Sequence, residues 1–279
     1  MNVKGVNYRI SGHWKDDVEH PAELGAQFVA LLDRIQPTIP VKNVWLLFDF
    51  SRVDLHAESD ADSSAGVLLK DARENMTVFV ERNDVKEEDG STDPRNGYYL
   101  FARGTQDGRE FGSSQSIDVS AQVGSYWDNE VTFEVGDPLR FPDPTLTTYP
   151  IYKGALEAIA STMPAPYVWA RYSIRWDTGD FPPGPVPSGP PIEIFDGAWI
   201  AYLSAPLAAG FSPPADLFPE RTPGGGLILS AVKDHIDSTN PDHVRASQRL
   251  QTVLTERTSE PGHRGNLQFA RFPPRVGPY

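Results

Sequence analysis

The stretch Gly197-Ala198-Trp199-Ile200-Ala201-Tyr202-Leu203-Ser204 is an aromatic and aliphatic run, which is the pattern of a buried β-strand. A proline-rich connection leads to three glycines, 224–226, and these precede a second apolar run at 227–232. Asn240 and Pro241 predict a helix start, because asparagine accepts hydrogen bonds at an N-cap and proline is tolerated at the first helical position. The unit 197–254 is therefore predicted to be a strand, a second strand and a covering helix.

The same patterns recur on the N-terminal side of this unit. Helical spacing of apolar residues predicts three helices, at 22–35, 67–82 and 151–163. Alternating or short apolar runs predict strands at 3–10, 44–48, 98–102, 114–123, 130–135 and 167–176. We expect an α+β fold with a mixed but mainly antiparallel sheet and packed helices. A proline-rich link predicts an acidic N-terminal lobe at 1–145 and a C-terminal lobe at 146–279, with one continuous domain as the alternative.

Composition excludes several classes of site. The 279 residues include no cysteine, which rules out disulfides, thiolate zinc sites and a cysteine nucleophile. Residues 1–8 lack the apolar segment of a signal peptide, and no run approaches the roughly 18 apolar residues of a membrane span. We therefore expect a cytoplasmic protein that does not associate with a membrane.

Charge is distributed unevenly along the chain, whose net charge is −13. Residues 1–150 carry 26 acidic and 14 basic side chains, whereas residues 151–279 carry 12 and 11. An acidic surface repels nucleic acid and attracts basic proteins over long distances. The first half of the chain is therefore predicted to bind a basic protein, although solubility alone also explains an acidic surface.

Acidic runs in predicted loops are the candidate binding residues, because loops are exposed and converge at the edges of a domain. Together they mimic a row of phosphates that fits the basic cleft of a nucleic-acid-binding protein. Trp14 and Trp127 lie beside two of the runs and are candidate aromatic anchors, although a core position suits each of them too. The predicted contact residues are Trp14, Asp16, Asp17, Glu19, Glu87, Glu88, Asp89, Asp93, Asp107 and Glu110.

Two other patterns have simpler explanations. The glycines 224–226 precede a strand rather than a helix, which favours a turn over a phosphate-binding loop. Residues 60–71 resemble part of a calcium loop, but Ala65 stands where glycine is required and Asp71 where glutamate is expected. An acidic helix entry is the better explanation of that segment.

The alternative function comes from a different class, a metal-dependent hydrolase. His235 and His243 flank a predicted turn, and a nearby carboxylate would have to supply a third metal ligand. The chain has no Gly-x-Ser-x-Gly elbow to support a serine hydrolase. We expect no catalytic residue, no metal and no cofactor, and the oligomeric state, a homodimer included, stays open.

Three segments carry a family resemblance. The first is Tyr8-Arg9-Ile10-Ser11-Gly12-His13-Trp14, followed by the helix 22–35 and Trp45. The second is the run 197–204. The third is Gly225-Gly226-Leu227-Ile228-Leu229, followed by Ile236, Asp237, Asn240-Pro241-Asp242-His243 and Leu250. In these segments the chain resembles the bacterial immunity protein 52 family.

The resemblance implies a non-enzymatic cytoplasmic inhibitor that is encoded beside a secreted toxin and protects its producer. It also implies that the toxin is a nuclease of restriction-endonuclease fold, such as a DNase, delivered by type VI secretion or another polymorphic toxin system. The cleft of a nuclease is electropositive, so an acidic inhibitor suits it. The expected partner is therefore the cognate toxin, and neither nucleic acid nor a membrane.

Overall fold

The computed structural model describes the sheet and the helices that pack on it. The described residues are 3–14, 20–39, 44–48, 66–85, 91, 96–105, 116–124, 129–136, 142–176, 193–237 and 239–258. Among these residues, no helix combines the length and the apolar character needed to cross a membrane.

The described strands form one ten-stranded sheet, and every neighbouring pair is antiparallel. In space their order is β3-β2-β4-β5-β6-β1-β7-β8-β10-β9. This sheet confirms the predicted α+β class, the predicted meander β4-β5-β6 and the predominance of antiparallel pairing. Along the chain the strands are β1 (Val3–Trp14), β2 (Val44–Phe48), β3 (Gly66–Leu68), β4 (Tyr98–Thr105), β5 (Ile117–Val123), β6 (Asn129–Val135), β7 (Tyr167–Trp176), β8 (Glu193–Leu203), β9 (Glu220–Arg221) and β10 (Leu227–Ser230).

The N-terminal strand β1 lies inside the sheet, between β6 and β7. Ile10 pairs with Phe133 on one side and with Ala170 on the other. The sequence predicted this strand only as far as residue 10, but pairing with both neighbours continues through His13 and extends it to Trp14. The sheet thus runs across the boundary predicted at 145, and the division into two lobes stays a prediction.

Helices cover both faces of the sheet at different places. α1 contacts α3 and α4, and these three helices lie on one face, whereas α6 packs against β8. The predicted helix at 67–82 is wrong in part, because its first residues form β3, where Leu68 pairs with Leu46, and a 3₁₀ turn at Arg73–Asn75 interrupts the rest. The helices are α1 (Pro21–Ile35), α2 (Leu69–Ala72), α3 (Met76–Arg82), α4 (Tyr149–Thr162), α5 (Ala205–Ala208) and α6 (Pro241–Thr258).

Two apolar clusters lie on opposite faces of the sheet, because alternate residues of a strand point to opposite sides. Val168 and Ala170 of β7 belong to the larger cluster under α1 and α4. Tyr167 of the same strand belongs to the smaller cluster, together with Leu250 and Leu254 of α6. The predicted order of strand, strand and covering helix over 197–254 is therefore confirmed.

The three glycines form the predicted turn between β9 and β10. Gly225 has φ 82° and donates to the carbonyl of Thr222, while Thr222 donates to the carbonyl of Gly226. Glycine reaches this left-handed conformation without steric cost.

The two strands at the ends of the described order are short, since β9 has two residues and β3 has three.

A substitution at Gly197, which lies in the stretch 197–204 of β8, tests how closely β8 and α6 pack. A Cβ atom at this position would meet Ser247 Oγ and would lie 2.7 Å from Tyr172 Cε1. We expect Gly197→Ala to lower the free energy of unfolding by about 1–3 kcal/mol, because overpacking forces the neighbours to move. Urea denaturation measures the change.

Gly224→Ala is the matched control, because a Cβ at Gly224 would have no atom within 4 Å. We expect its stability to stay within about 1 kcal/mol of wild type, since alanine there restricts only the unfolded chain. An equal loss in both variants would contradict the close packing of α6 on β8.

Candidate functional site

Most of the predicted contact residues lie outside the described residues. This applies to the nine carboxylates, Asp16, Asp17, Glu19, Glu87, Glu88, Asp89, Asp93, Asp107 and Glu110, and to Trp127. Their role in binding stays a prediction. The residues that flank them are described, however, and these show where each acidic run joins the fold.

Trp14 is the one predicted contact residue with a described position. It ends β1, and its side chain is 6% exposed within the larger apolar cluster. The ring therefore packs in the core, which is the second of the two roles that the sequence allowed. Its structural contribution is to hold the end of β1 immediately before the run that contains Asp16, Asp17 and Glu19.

The flanks of two acidic runs meet at one end of the sheet. Trp14 pairs with Asn129, the first residue of β6. The neighbouring β5 ends at Val123, which pairs with Tyr98, and Tyr98 forms a bridge with Asp84. Trp14, the last described residue before the run 16–19, thus lies beside Asn129, and Val85, which follows Asp84, is the last described residue before the run 87–93. We call this end of the sheet the acidic end, and it comprises Trp14, Tyr98, Val123 and Asn129 with residues 20–24 and 81–85 of the adjoining helices.

The start of α1 also lies at the acidic end. His20 caps this helix, since its Nδ1 accepts from the backbone N–H of Ala22, and Pro21 follows at the first helical position. A Cβ on Gly124 would lie 3.1 Å from Leu24 Cδ1, which places the first turn of α1 against the end of β5. Glu23 in that turn adds a carboxylate where the helix dipole favours one.

The third acidic run joins the fold elsewhere. Asp107 and Glu110 fall between Thr105, the last residue of β4, and Ser116, which precedes β5. Gly104 pairs with Ile117, and Ile117 pairs with Val135, so these flanks lie at the opposite end of the meander from Tyr98 and Val123. The described residues that flank two of the three predicted runs therefore lie at the same end of the sheet.

Described carboxylates already create a negative potential at the acidic end. Burial raises the pKa of Tyr98, and the charges of Glu81 and Asp84 raise it further, because a nearby anion disfavours the phenolate. Within residues 1–150, the described residues carry 10 acidic and 7 basic side chains. The remaining excess of nine negative charges in that half belongs to segments outside the described residues, and the two runs flanked by the acidic end contribute part of it.

In contrast, the charged side chains on the sheet surface opposite α1 and α4 are paired with one another. We call this surface the polar face, and its charged members on β1, β4, β5 and β6 are Arg9, Arg103, Asp118, Glu130 and Glu134. Arg9 Nη2 lies 2.7 Å from Glu130 Oε1, and Arg9 Nε lies 3.3 Å from Glu134 Oε1. Cross-strand ion pairs of this kind hold neighbouring strands in register.

The strongest pair on the polar face joins β4 to β5. Arg103 donates to both carboxylate oxygens of Asp118 at 2.7 Å, and both side chains are 18% exposed. The guanidinium also lies over Phe101, 5.4 Å from the ring centroid. Burial raises the pKa of Asp118 above its ordinary value, although the two hydrogen bonds from Arg103 act in the opposite direction. This surface is therefore a structural ion-pair network in which two arginines offset most of the charge of three carboxylates.

The two histidines of the hydrolase alternative serve structural hydrogen bonds. His235 Nδ1 lies 2.8 Å from the carbonyl of Thr147, and its Nε2 lies 3.2 Å from the hydroxyl of Tyr8. His243 Nδ1 accepts from the backbone N–H of Asp237 at 3.0 Å. In the described part of the chain, no three histidine or carboxylate side chains are grouped as a metal site requires. The calcium-like loop lies partly outside this part, because residues 60–65 are not described.

Comparison with known proteins gives only distant structural likenesses. The chain matches no protein-family model and no curated protein. A solved structure titled Pseudomonas aeruginosa T6SS protein PA0821 is similar at a TM-score of 0.42 and 12% sequence identity, covering 87% of this chain and 76% of that chain. A likeness this distant assigns neither a fold family nor a function to this chain.

The polar face was missed at the level of sequence. Arg9 and Glu130 are separated by 121 positions, so no local motif announces their pairing. The available signal was alternation: Arg9, Ser11 and His13 are the polar positions of β1, and they point away from the side that buries Tyr8 and Ile10.

The ion pair between Arg103 and Asp118 gives a test of the polar face. We expect Arg103→Leu to lower the free energy of unfolding by about 2 kcal/mol at neutral pH, because the poorly exposed carboxylate of Asp118 loses its partner. The double variant Arg103→Leu/Asp118→Leu is expected to regain most of this loss, since both charges are removed. Urea denaturation of the two variants measures the difference.

The stability of the same variants is also expected to depend on pH. A carboxyl group whose pKa is higher in the folded chain contributes stability below its unfolded pKa, and that contribution is lost as pH rises through the folded pKa. Removal of Arg103 raises the folded pKa of Asp118 further. Arg103→Leu should therefore lose more stability than wild type between about pH 4 and pH 7. If Arg103→Leu and the wild type lost the same stability over this pH range, this account would be contradicted. A double variant no more stable than Arg103→Leu would also contradict it.

Proposed function

We propose that this chain is an immunity protein that binds and neutralises a cognate secreted toxin through its acidic end. The observation that supports this most directly is the meeting, at one end of the sheet, of the flanks of two acidic runs with Glu23, Glu81 and Asp84. The resemblance to the immunity protein 52 family suggests that the toxin is a nuclease of restriction-endonuclease fold, delivered by type VI secretion or a related system.

The charge distribution supports a basic partner. Most of the excess carboxylates belong to segments outside the described residues, and the sequence predicts that the runs 16–19, 87–93 and 107–110 are exposed loops, whereas the charges of the polar face are already paired. Unpaired surface carboxylates keep their long-range field, which accelerates association with a positively charged cleft. A nuclease cleft is positively charged because it binds phosphates.

Protection from an enzyme requires nearly complete occupancy of the toxin. The dissociation constant is therefore expected to be about nanomolar or tighter, which corresponds to roughly −12 kcal/mol. An interface of standard size buries about 800 Å² on each partner. Such an area extends beyond the carboxylates, which are expected to govern the association rate more than the total affinity.

Co-expression tests the function directly. We expect the chain to restore growth of cells that express the toxin encoded beside its gene, and not of cells that express an unrelated nuclease toxin. The purified proteins should form a one-to-one complex. Failure to restore growth or to form a complex would exclude the immunity function, whatever the charge of the acidic end.

Charge reversal tests the surface. The triple variant Glu87→Lys, Glu88→Lys and Asp89→Lys is expected to bind the same toxin about tenfold or more slowly, with a weaker dependence of the association rate on salt. Stopped-flow or surface-plasmon measurements at several ionic strengths give both quantities.

The matched control reverses three exposed carboxylates away from the acidic end, Asp71, Glu74 and Glu157. Both triples change the net charge equally, so a general effect of charge would slow association in both. We expect the control to retain most of the wild-type rate. If the two triples behave alike, the run 87–89 has no special place in the interface.

A further inference from the structure

Phe218 has the most unfavourable backbone conformation of the described residues. Its φ is 45° and its ψ is 56°, which is the left-handed region, and it is the only described residue other than glycine with positive φ. Phenylalanine has no polar side chain to stabilise this conformation, unlike asparagine or aspartate. Pro219 follows, and a residue before proline is restricted further. Such strain persists where the surroundings impose it and is typical of functional positions.

The strained conformation turns the ring outward. Leu217, the preceding residue, is 1% exposed in the smaller apolar cluster, whereas Phe218 is 42% exposed. The carbonyls of Pro214 and Ala215 accept from the N–H groups of Leu217 and Phe218, which holds the turn rigid. The ring contributes little to the core, so glycine or asparagine would suit the fold better. A large aromatic group held outward on a rigid turn is typical of an interface anchor.

The charges around Phe218 are complementary to each other. Lys233 Nζ lies 5.6 Å from the ring centroid, and no carboxylate of the described residues pairs with this ammonium group. Asp216, two residues before Phe218, has a side chain that is 66% exposed, and its contact with Arg249 is loose, at 3.9 Å. We call Asp216, Phe218, Lys233 and Arg249 the Phe218 patch. It places one cation that has no carboxylate partner among the described residues, and one exposed carboxylate, around an aromatic centre.

We propose that the Phe218 patch binds a second copy of this chain around a two-fold axis. In a symmetric dimer the same surface serves both partners, so Lys233 of each copy meets Asp216 of the other while the Phe218 rings pack at the centre. The patch lies in the half of the chain that carries 12 acidic and 11 basic residues. The chain segment that forms the patch therefore adds little charge repulsion between two copies. The dimer is independent of the proposed toxin binding.

Sedimentation equilibrium of the purified full chain tests this proposal, over about three decades of concentration up to about 1 mM. We expect a monomer–dimer equilibrium. Phe218→Asn should raise the dissociation constant at least tenfold without lowering the melting temperature of the monomer, because asparagine tolerates the left-handed conformation. Val78→Ala is the matched control, since Val78 is 43% exposed on α3, and it should leave the dissociation constant unchanged.

An exchange of charges tests the predicted contact. Asp216→Lys and Lys233→Asp are each expected to weaken the dimer, and the double variant should recover most of the wild-type association. A wild-type chain that stays monomeric would overturn the proposal, as would a dimer unaffected by Phe218→Asn and by both charge variants. Phe218→Gly is a second variant for the case in which Phe218→Asn does not fold. If neither variant folds, the Phe218 ring is required for the fold and the proposal is wrong.

Discussion

The fold depends on the pairing of β1 with β6 on one side and β7 on the other. These two ladders join residues from opposite halves of the chain, and without β1 the described sheet would separate into a β3-β2-β4-β5-β6 part and a β7-β8-β10-β9 part. Tyr8 adds side-chain contacts to this link, because its carbonyl accepts from the Tyr152 hydroxyl and its own hydroxyl donates to the carbonyl of Ile236. The first strand thus connects α4 with the segment that precedes α6.

An aromatic cluster surrounds this connection on the side of α4. Tyr8, Tyr152 and Trp199 contact one another, with ring centroids 5.1–6.1 Å apart and tilted or edge-on arrangements. Each of the three has a polar tip with a backbone carbonyl within hydrogen-bond distance, Trp199 through its indole N–H to Val232. Burial raises the pKa of Tyr152 and of Tyr8, so both hydroxyls are neutral donors. Directional bonds inside an apolar cluster favour one arrangement of the strands over others.

The fold was more predictable from sequence than the candidate site. The run 197–204 and the helix start at Asn240-Pro241 are local signals, and both appear as expected in β8 and α6. Local patterns failed where pairing decides the outcome: Val67 and Leu68 suit a helix by spacing, yet their contacts with β2 make them a strand. That the residues flanking the runs 16–19 and 87–93 lie at one end of the sheet could not be predicted from the sequence, because it depends on the pairing of Asp84 with Tyr98 and of Trp14 with Asn129. For Trp14 the sequence favoured a core position over a contact role, and its burial agrees with that preference.

The short strands at the two ends of the described order have a consequence for behaviour at high concentration. A long, exposed edge offers a row of unsatisfied backbone groups to which another chain can add, and this is a route to amyloid-like aggregation. Here β9 offers two residues and β3 offers three, and Pro219 immediately precedes β9. A wide antiparallel sheet with long edge strands would be prone to template the growth of fibrils, and the outermost of the described strands are too short to serve as such a template.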